Sequence, residues 1–364
     1  MVLRAWVISG LLLGMAFLAR GAENPFLAPP ELKDFAFQVS ANHQSNQAKL
    51  QAILTSIFRP VEEGGLGVAY DNARTRTVPE VWWERKANCL SMTAFYVAAC
   101  RSIGIDAKYA EALNTNRWRK VGNVVRFERH VVALTRVPPL DDLVADFLPT
   151  LRRRTGIYVV ALLDEPRFRS LYYSNRAVEL LGEGKLEAAM EEARISLEAD
   201  AKGSVGWNIQ GVVQAASGDV AAAEKSYRMA LSLDARDGSA MGNLEGLLRN
   251  SGRLEEAMKL RALSEEVRKK DPYYNAYLGE EALNEGNLVE ALRRIQVALK
   301  ILPHEPEFFL LQARIRLSQG KIDDAVKDIQ EAKKWADPVN RERYDNKLAI
   351  IQGEAERTKA DRKK

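Results

Sequence analysis

Along residues 42–165 the spacing of apolar positions changes repeatedly. Gln47 to Phe58 places them at helical intervals, Glu62 to Thr77 is Gly-rich and irregular, and Cys89 to Ile103 returns to helical spacing before stopping at Gly104. Short strand-like runs follow at Ala107 to Leu113, Val121 to Phe127, His130 to Thr135 and Leu143 to Phe147. A helix followed by an antiparallel sheet predicts an α+β domain. Beyond it, residues 170–337 carry helical spacing alone, and the pattern acquires a fixed period.

That period is set by Gly184, Gly218, Gly252, Gly286 and Gly320, each 34 residues from the next. Every one opens the same phrase, from Gly184-Lys185-Leu186 to Gly320-Lys321-Ile322, with an Ala five residues after the Gly at 189, 223, 257, 291 and 325. A Gly can close a helix in a backbone conformation that a β-carbon resists, and a small Ala lets the next helix come close to its neighbour. Five helix pairs are expected. The period and phrase resemble the tetratricopeptide repeat, as do Tyr173, Trp207 and Phe309, eleven residues before their Gly, and Pro303 near a repeat end. Gly211 and Gly279 match the small residue seven before the Gly, whereas Ala177, Glu245 and Ala313 replace it. The resemblance implies an all-α solenoid that holds another chain.

Composition narrows the function. The chain has 364 residues, 46% hydrophobic and 28% charged, with a net charge of +4. The tail from Arg341 to Lys364 holds eight Lys/Arg against five Asp/Glu, so the body is close to neutral and no nucleic-acid partner is expected. Residues 1–22 read as a secretion signal: Arg4, the apolar stretch Ala5 to Leu18, then Ala19-Arg20-Gly21 as a cleavage site. The apolar stretch is short for a bilayer, which leaves an uncleaved anchor as the other reading and the sole route to a membrane. The expected order is signal 1–22, linker 23–41, α+β domain 42–165, five repeats over 170–337 and a charged tail or helix at 338–364, in a protein exported to a bacterial periplasm.

An exported chain with two cysteines, Cys89 and Cys100, invites a question. On one helix, eleven residues apart, they stand about 16 Å from each other along its axis, beyond disulfide reach. Cys100 reads as a small buried apolar group. Cys89 sits differently. The run Asn88-Cys89-Leu90-Ser91-Met92-Thr93-Ala94-Phe95 leads to Gly104-Ile105-Asp106-Ala107-Lys108-Tyr109; His130 opens Val131-Val132-Ala133-Leu134, and Asp146 follows in Leu143-Val144-Ala145-Asp146-Phe147. These segments resemble the core of the transglutaminase-like superfamily, in which a Cys begins a helix that ends in Gly-Ile and turns into a strand. Two features depart from it: Asn88 stands where a small residue is usual, and the strand after His130 is aliphatic rather than aromatic.

The resemblance implies a papain-like triad of Cys89, His130 and Asp146. Cys89 would be the nucleophile, aided by free amides at its helix N-terminus; His130 would move the proton, and Asp146 would fix the imidazole tautomer. Strand alternation would aim Asp146 with Val144 and Leu148 while Ala145 and Phe147 face away. Asp141 and Asp142 are alternative carboxylates, although Pro138-Pro139 before them suggests a turn. Trp82 and Trp83 either wall the cleft and help bind an oxyanion or simply pack the loop. Two Cys and three scattered His make no metal-ligand spacing, and no metal or other cofactor is expected. In the repeats, Asn208, Arg249, Tyr273, Glu280 and Arg314 fall near the groove lining and are candidates for holding a peptide. The expected activity is acyl transfer from a protein or peptide amide, as peptidase, amidase or transglutaminase. The alternative is a domain that kept the fold, lost the chemistry and serves with the repeats as an envelope scaffold.

Overall fold

The computed structural model describes residues 24–113, 117–121, 124–136, 143–147, 159–336 and 344–351, with backbone alone at 117–121 and 124–128. The proposed signal, Asp141, Asp142, Leu148 and most of the tail lie outside these residues. Contacts divide the chain into two units, one of residues 1–109 with 132–147, the other of 110–131 with 148–364.

The first unit is built on helix α4 (Cys89–Ser102), whose residues Leu90 to Cys100 are all buried. Helices α1 (Pro30–Ser40), α2 (Asn46–Phe58) and α3 (Val78–Glu84) pack around it. Helix α1 corrects the expected linker at 23–41. Pro30 suits a helix start, and Leu32, Ala36 and Ser40, spaced by one helical turn, are buried. Helix α4 ends as expected, with Gly104 at φ +80 carrying the chain toward β3 (Ala107–Ala112). A short parallel ladder, not foreseen from the sequence, joins β1 (Ala69–Tyr70) to β2 (Lys86–Ala87).

Strands β4 (Arg117–Val121) and β5 (Val124–Glu128) form an antiparallel hairpin with Val121 opposite Val124. The run expected as one strand from Val121 to Phe127 is therefore divided, with Val121 ending β4 and Val124 opening β5. Strands β6 (Val131–Thr135), β7 (Leu143–Ala145) and β8 (Val160–Leu163) complete a four-stranded sheet of order β7-β6-β3-β8, in which β6 and β7 are antiparallel with Ala133 opposite Ala145. All five residues of β6 are buried, which explains its continuous aliphatic run.

The second unit carries the five helix pairs: α5 (Glu165–Gly182) with α6 (Leu186–Ala199), α7 (Ser204–Ala216) with α8 (Val220–Leu233), α9 (Gly238–Asn250) with α10 (Leu254–Lys269), α11 (Pro272–Asn284) with α12 (Leu288–Ile301), and α13 (Pro306–Ser318) with α14 (Ile322–Trp335). Each periodic Gly lies in the turn inside a pair, with φ of 76, 88, 77, 76 and 74° in chain order. Each periodic Ala is buried at the contact of its helix with the partner. Gly211 has a different task. A β-carbon there would come within 2.6 Å of the Tyr227 ring, so its lack of a side chain lets α7 and α8 touch. The hairpin β4–β5 contacts α9 and α11, the first helices of the third and fourth pairs. Among the described residues, no helix is long and apolar enough to cross a membrane.

Candidate active site

Cys89 is the first residue of α4, and the segment before the helix is tied down to keep it there. Asn88 caps α4: its side-chain oxygen accepts from the Ser91 N–H at 3.0 Å, and its amide donates to Thr75 Oγ1 at 2.7 Å. The Arg76 N–H in turn donates to Ser91 Oγ at 2.7 Å. The buried Arg76 guanidinium pairs with Asp71 at 2.8 Å and Glu84 at 2.6 Å, while Arg74 reaches Glu80 and Glu84. Asp71 is held below the usual carboxylate range by the Ala73 N–H and then by Arg76, and Glu84 by its bond from Arg76. Asn88, the departure from the family's small residue, is thus the cap that fixes the N-terminus of α4. Cys89 remains a free thiol, partly exposed, at the positive end of the helix dipole.

The β1–β2 ladder brings to the segment just before this thiol a residue that sequence reasoning missed. Tyr70 stands opposite Ala87, two residues before Cys89, and the Asp71 N–H donates to the Ala87 carbonyl at 2.9 Å. The ladder is steered by Arg85, the one non-glycine among the described residues with positive φ, at 55°. Its carbonyl accepts from the Ala69 N–H at 2.8 Å. The Cys89 backbone and the Asn72 side chain pull the Tyr70 phenol down, against larger effects in the other direction. Burial pushes the Tyr70 phenol well above its ordinary value, with the charges of Cys89 and Asp146 adding to the effect. Tyr70, Cys89 and Asp146 therefore share one neighbourhood. A lone Tyr in an irregular stretch carries no motif, which is why the sequence did not reveal it.

Asp146 follows β7 by one residue. Ala145 and Phe147 on either side are buried, Phe147 against Phe58 and Tyr96, while Asp146 stays partly exposed. His130 belongs to the second unit, immediately before β6, where it is 3% exposed and its carbonyl accepts from the Ala112 N–H at 2.9 Å. Cys100 is wholly buried, and burial pushes its thiol up to about 12. Trp82 is 9% exposed, edge-on to Phe35 with the Arg85 guanidinium 4.2 Å over its ring, whereas Trp83 is 68% exposed. The pair splits into a packing residue and a surface residue. Among the described residues, no cluster of His, Cys, Asp or Glu could hold a metal ion.

The chain from Lys33 to Pro139 matches the family model of the transglutaminase-like superfamily. Residues 33–139 form a transglutaminase-like domain. Its span begins inside α1, encloses Cys89 and His130, and ends seven residues short of Asp146. No curated protein matches the chain. Solved structures with similarity to it include YrrB, described as a TPR protein with an unusual peptide-binding site, at 20% identity over 45% of this chain and 85% of that one, with a TM-score of 0.25. MamA from Desulfovibrio magneticus RS-1 is 15% identical over 46% and 94%, with a TM-score of 0.26. PilF of Pseudomonas aeruginosa is 17% identical over 54% and 94%, with a TM-score of 0.28.

The groove candidates of the five helix pairs fall into different environments. Asn208 is 5% exposed and its Oδ1 accepts from Asn243 Nδ2 at 2.9 Å. Tyr273 packs edge-on to Phe308 and against the Ala282, Ile295 and Phe308 cluster. Glu280 and Arg314, 34 residues apart, form an exposed ion pair at 2.9 Å, and Arg249 pairs with Glu245 at 3.5 Å.

Proposed function

We propose that the protein is an exported, thiol-dependent acyl-transfer enzyme acting on a protein or peptide amide, with its tetratricopeptide repeats holding the substrate or a partner chain. The observation that carries this reading is Cys89 as first residue of a buried, capped helix inside a transglutaminase-like domain, with Asp146 in its neighbourhood. His130 takes the Cys89 proton, and Sγ attacks the amide carbonyl carbon, forming the C–S bond. When the tetrahedral intermediate collapses, the C–N bond breaks and the amine leaves with the proton that His130 returns. Asp146 orients the imidazole. Water or an amine then takes the acyl group from the thioester, the first outcome being hydrolysis and the second cross-linking. Export, the periplasmic address and cleavage near residue 22 belong to the same proposal and rest on the N-terminal sequence pattern.

Partner binding is proposed at Glu280, Arg314 and Arg249, whose charged groups are exposed, with Asn208 and Tyr273 shaping the wall behind them. Because the β4–β5 hairpin already contacts α9 and α11, a bound chain would share those helices with it or displace it. Iodoacetamide labelling of the native protein at neutral pH tests the catalytic reading. Rapid labelling that disappears in Cys89→Ala is expected. Labelling of Cys89 no faster than in unfolded protein would leave a scaffold that has lost its chemistry.

A further inference from the structure

We propose that the face shared by α9 and α11 is a docking surface for an extended, cationic segment of a partner protein, and that the β4–β5 hairpin is its intramolecular occupant. This deepens the partner-binding reading of the helix pairs by naming the chemistry they hold, and rests on that reading alone. The hairpin belongs to the same unit as the helix pairs, forms a two-stranded sheet of its own and contacts α9 and α11. Two strands by themselves are marginal in water, so the helices supply what keeps this ladder formed. The register adds to that need. Arg119 stands opposite Arg126, and like charges directly opposite each other destabilise a ladder.

Charge shows what the helices offer. Strands β4 and β5 carry Arg117, Arg119, Lys120 and Arg126 against Glu128 alone, whereas α11 carries Glu280 and Glu281 and no Lys or Arg. Helix α11 also holds a pair of stacked rings, Tyr274 and Tyr277, with centroids 6.1 Å apart, and Glu281 lies one turn beyond Tyr277. In the hairpin, Trp118 stands opposite Phe127, which places an aromatic pair on one face of the ladder and the arginine pair on the other. A segment that fits the α9–α11 face is therefore extended, with Lys or Arg alternating with aromatic residues as in β4. A tethered occupant competes at an effective concentration of about millimolar order, so a partner takes the face only by displacing the hairpin, and its apparent affinity falls with the occupied fraction.

The probe is a fluorescein-labelled cyclic peptide of residues 117–128, added to the full chain and followed by fluorescence anisotropy. Arg119→Glu with Arg126→Glu reverses the net charge of the hairpin while leaving the opposed pair alike, so no new repulsion enters the ladder. The peptide is expected to bind this variant roughly 10-fold more tightly than the parent, because the tethered competitor is released. Adding Glu280→Lys and Glu281→Lys should abolish that gain. Hydrogen exchange on the parent protein gives a second reading that needs no released variant: saturating isotope-labelled peptide should speed exchange of the 117–128 amides on the order of 10-fold as the hairpin leaves the helices. Equal binding to the parent and the charge-reversed variant, with exchange unmoved, overturns the occupancy of the face by the hairpin and leaves partner binding by the helix pairs intact. No binding to either protein, with exchange unmoved, overturns the cationic partner as well. A dimer of the parent that the peptide dissociates would give the face to the hairpin of a second copy and overturn the intramolecular assignment.

Discussion

Cys89 and Cys100 share one helix and differ in almost everything that governs thiol chemistry. Cys89 opens the helix at the surface, where the dipole favours negative charge, and Cys100 lies inside the core with its ionisation suppressed by burial. Native protein treated with iodoacetamide at pH 8 should therefore be modified once, at Cys89. The second label should appear only on unfolding, which peptide mass mapping reads directly. Glycines divide in the same way by surroundings. Gly211→Ala drives a methyl into the Tyr227 ring and should cost about 1–3 kcal/mol in urea unfolding, the range for overpacking. Gly246→Ala, inside α9 with nothing within 4 Å of the added carbon, should instead stabilise by roughly 0.5–1 kcal/mol through helix propensity.

At the scale of elements, α4 depends on the segment in front of it. Asn88→Ala removes both the cap to Ser91 and the bond to Thr75, and a loss of about 1–2 kcal/mol is expected, together with slower Cys89 labelling. The Arg76 cluster adds a pH dependence whose sign follows from its carboxylates. Asp71 and Glu84 both titrate below their ordinary range when folded. Their contribution is present above the unfolded values near 4 and is lost as pH falls through the folded values. Melting temperature should thus drop below about pH 4, and the drop should be shallower in Arg76→Met. The hairpin is an element the apolar pattern blurred. Its two strands are separated by Gly122-Asn123 alone, and a run scored by hydrophobicity bridges so short a connection.

At the scale of the whole molecule, the repeats form a linear array in which each helix pair contacts its neighbours. Stability in such an array is nearly a sum of local terms, so a fragment spanning residues 165–351 should fold into a helical protein with a cooperative melt by circular dichroism. The Glu280–Arg314 pair is a separate test of purpose. Both groups are half exposed, and an exposed pair contributes about 0–1 kcal/mol, so Glu280→Ala with Arg314→Ala should hardly move the melting temperature. Weaker capture of a native partner by that variant, with Cys89 labelling unchanged, would support a binding role; unchanged capture would remove these two residues from it.

The sequence by itself determined the repeats, because a five-fold period repeats each local signal until chance has no room: five glycines, five small residues and five turns of the same shape. It also determined the start and end of α4 and the burial of β6, since caps, glycines and apolar runs act within a few residues of themselves. Tertiary structure alone decided what stands around Cys89. Tyr70 is set opposite Ala87, two residues before Cys89, by a ladder two residues long, steered by a left-handed Arg85, and Arg76 reaches Asp71 and Glu84 across a loop. It likewise set Asn208 within reach of Asn243 and divided Trp82 from Trp83. Such pairings join residues far apart in the chain, or separate adjacent ones, through packing that no local pattern encodes.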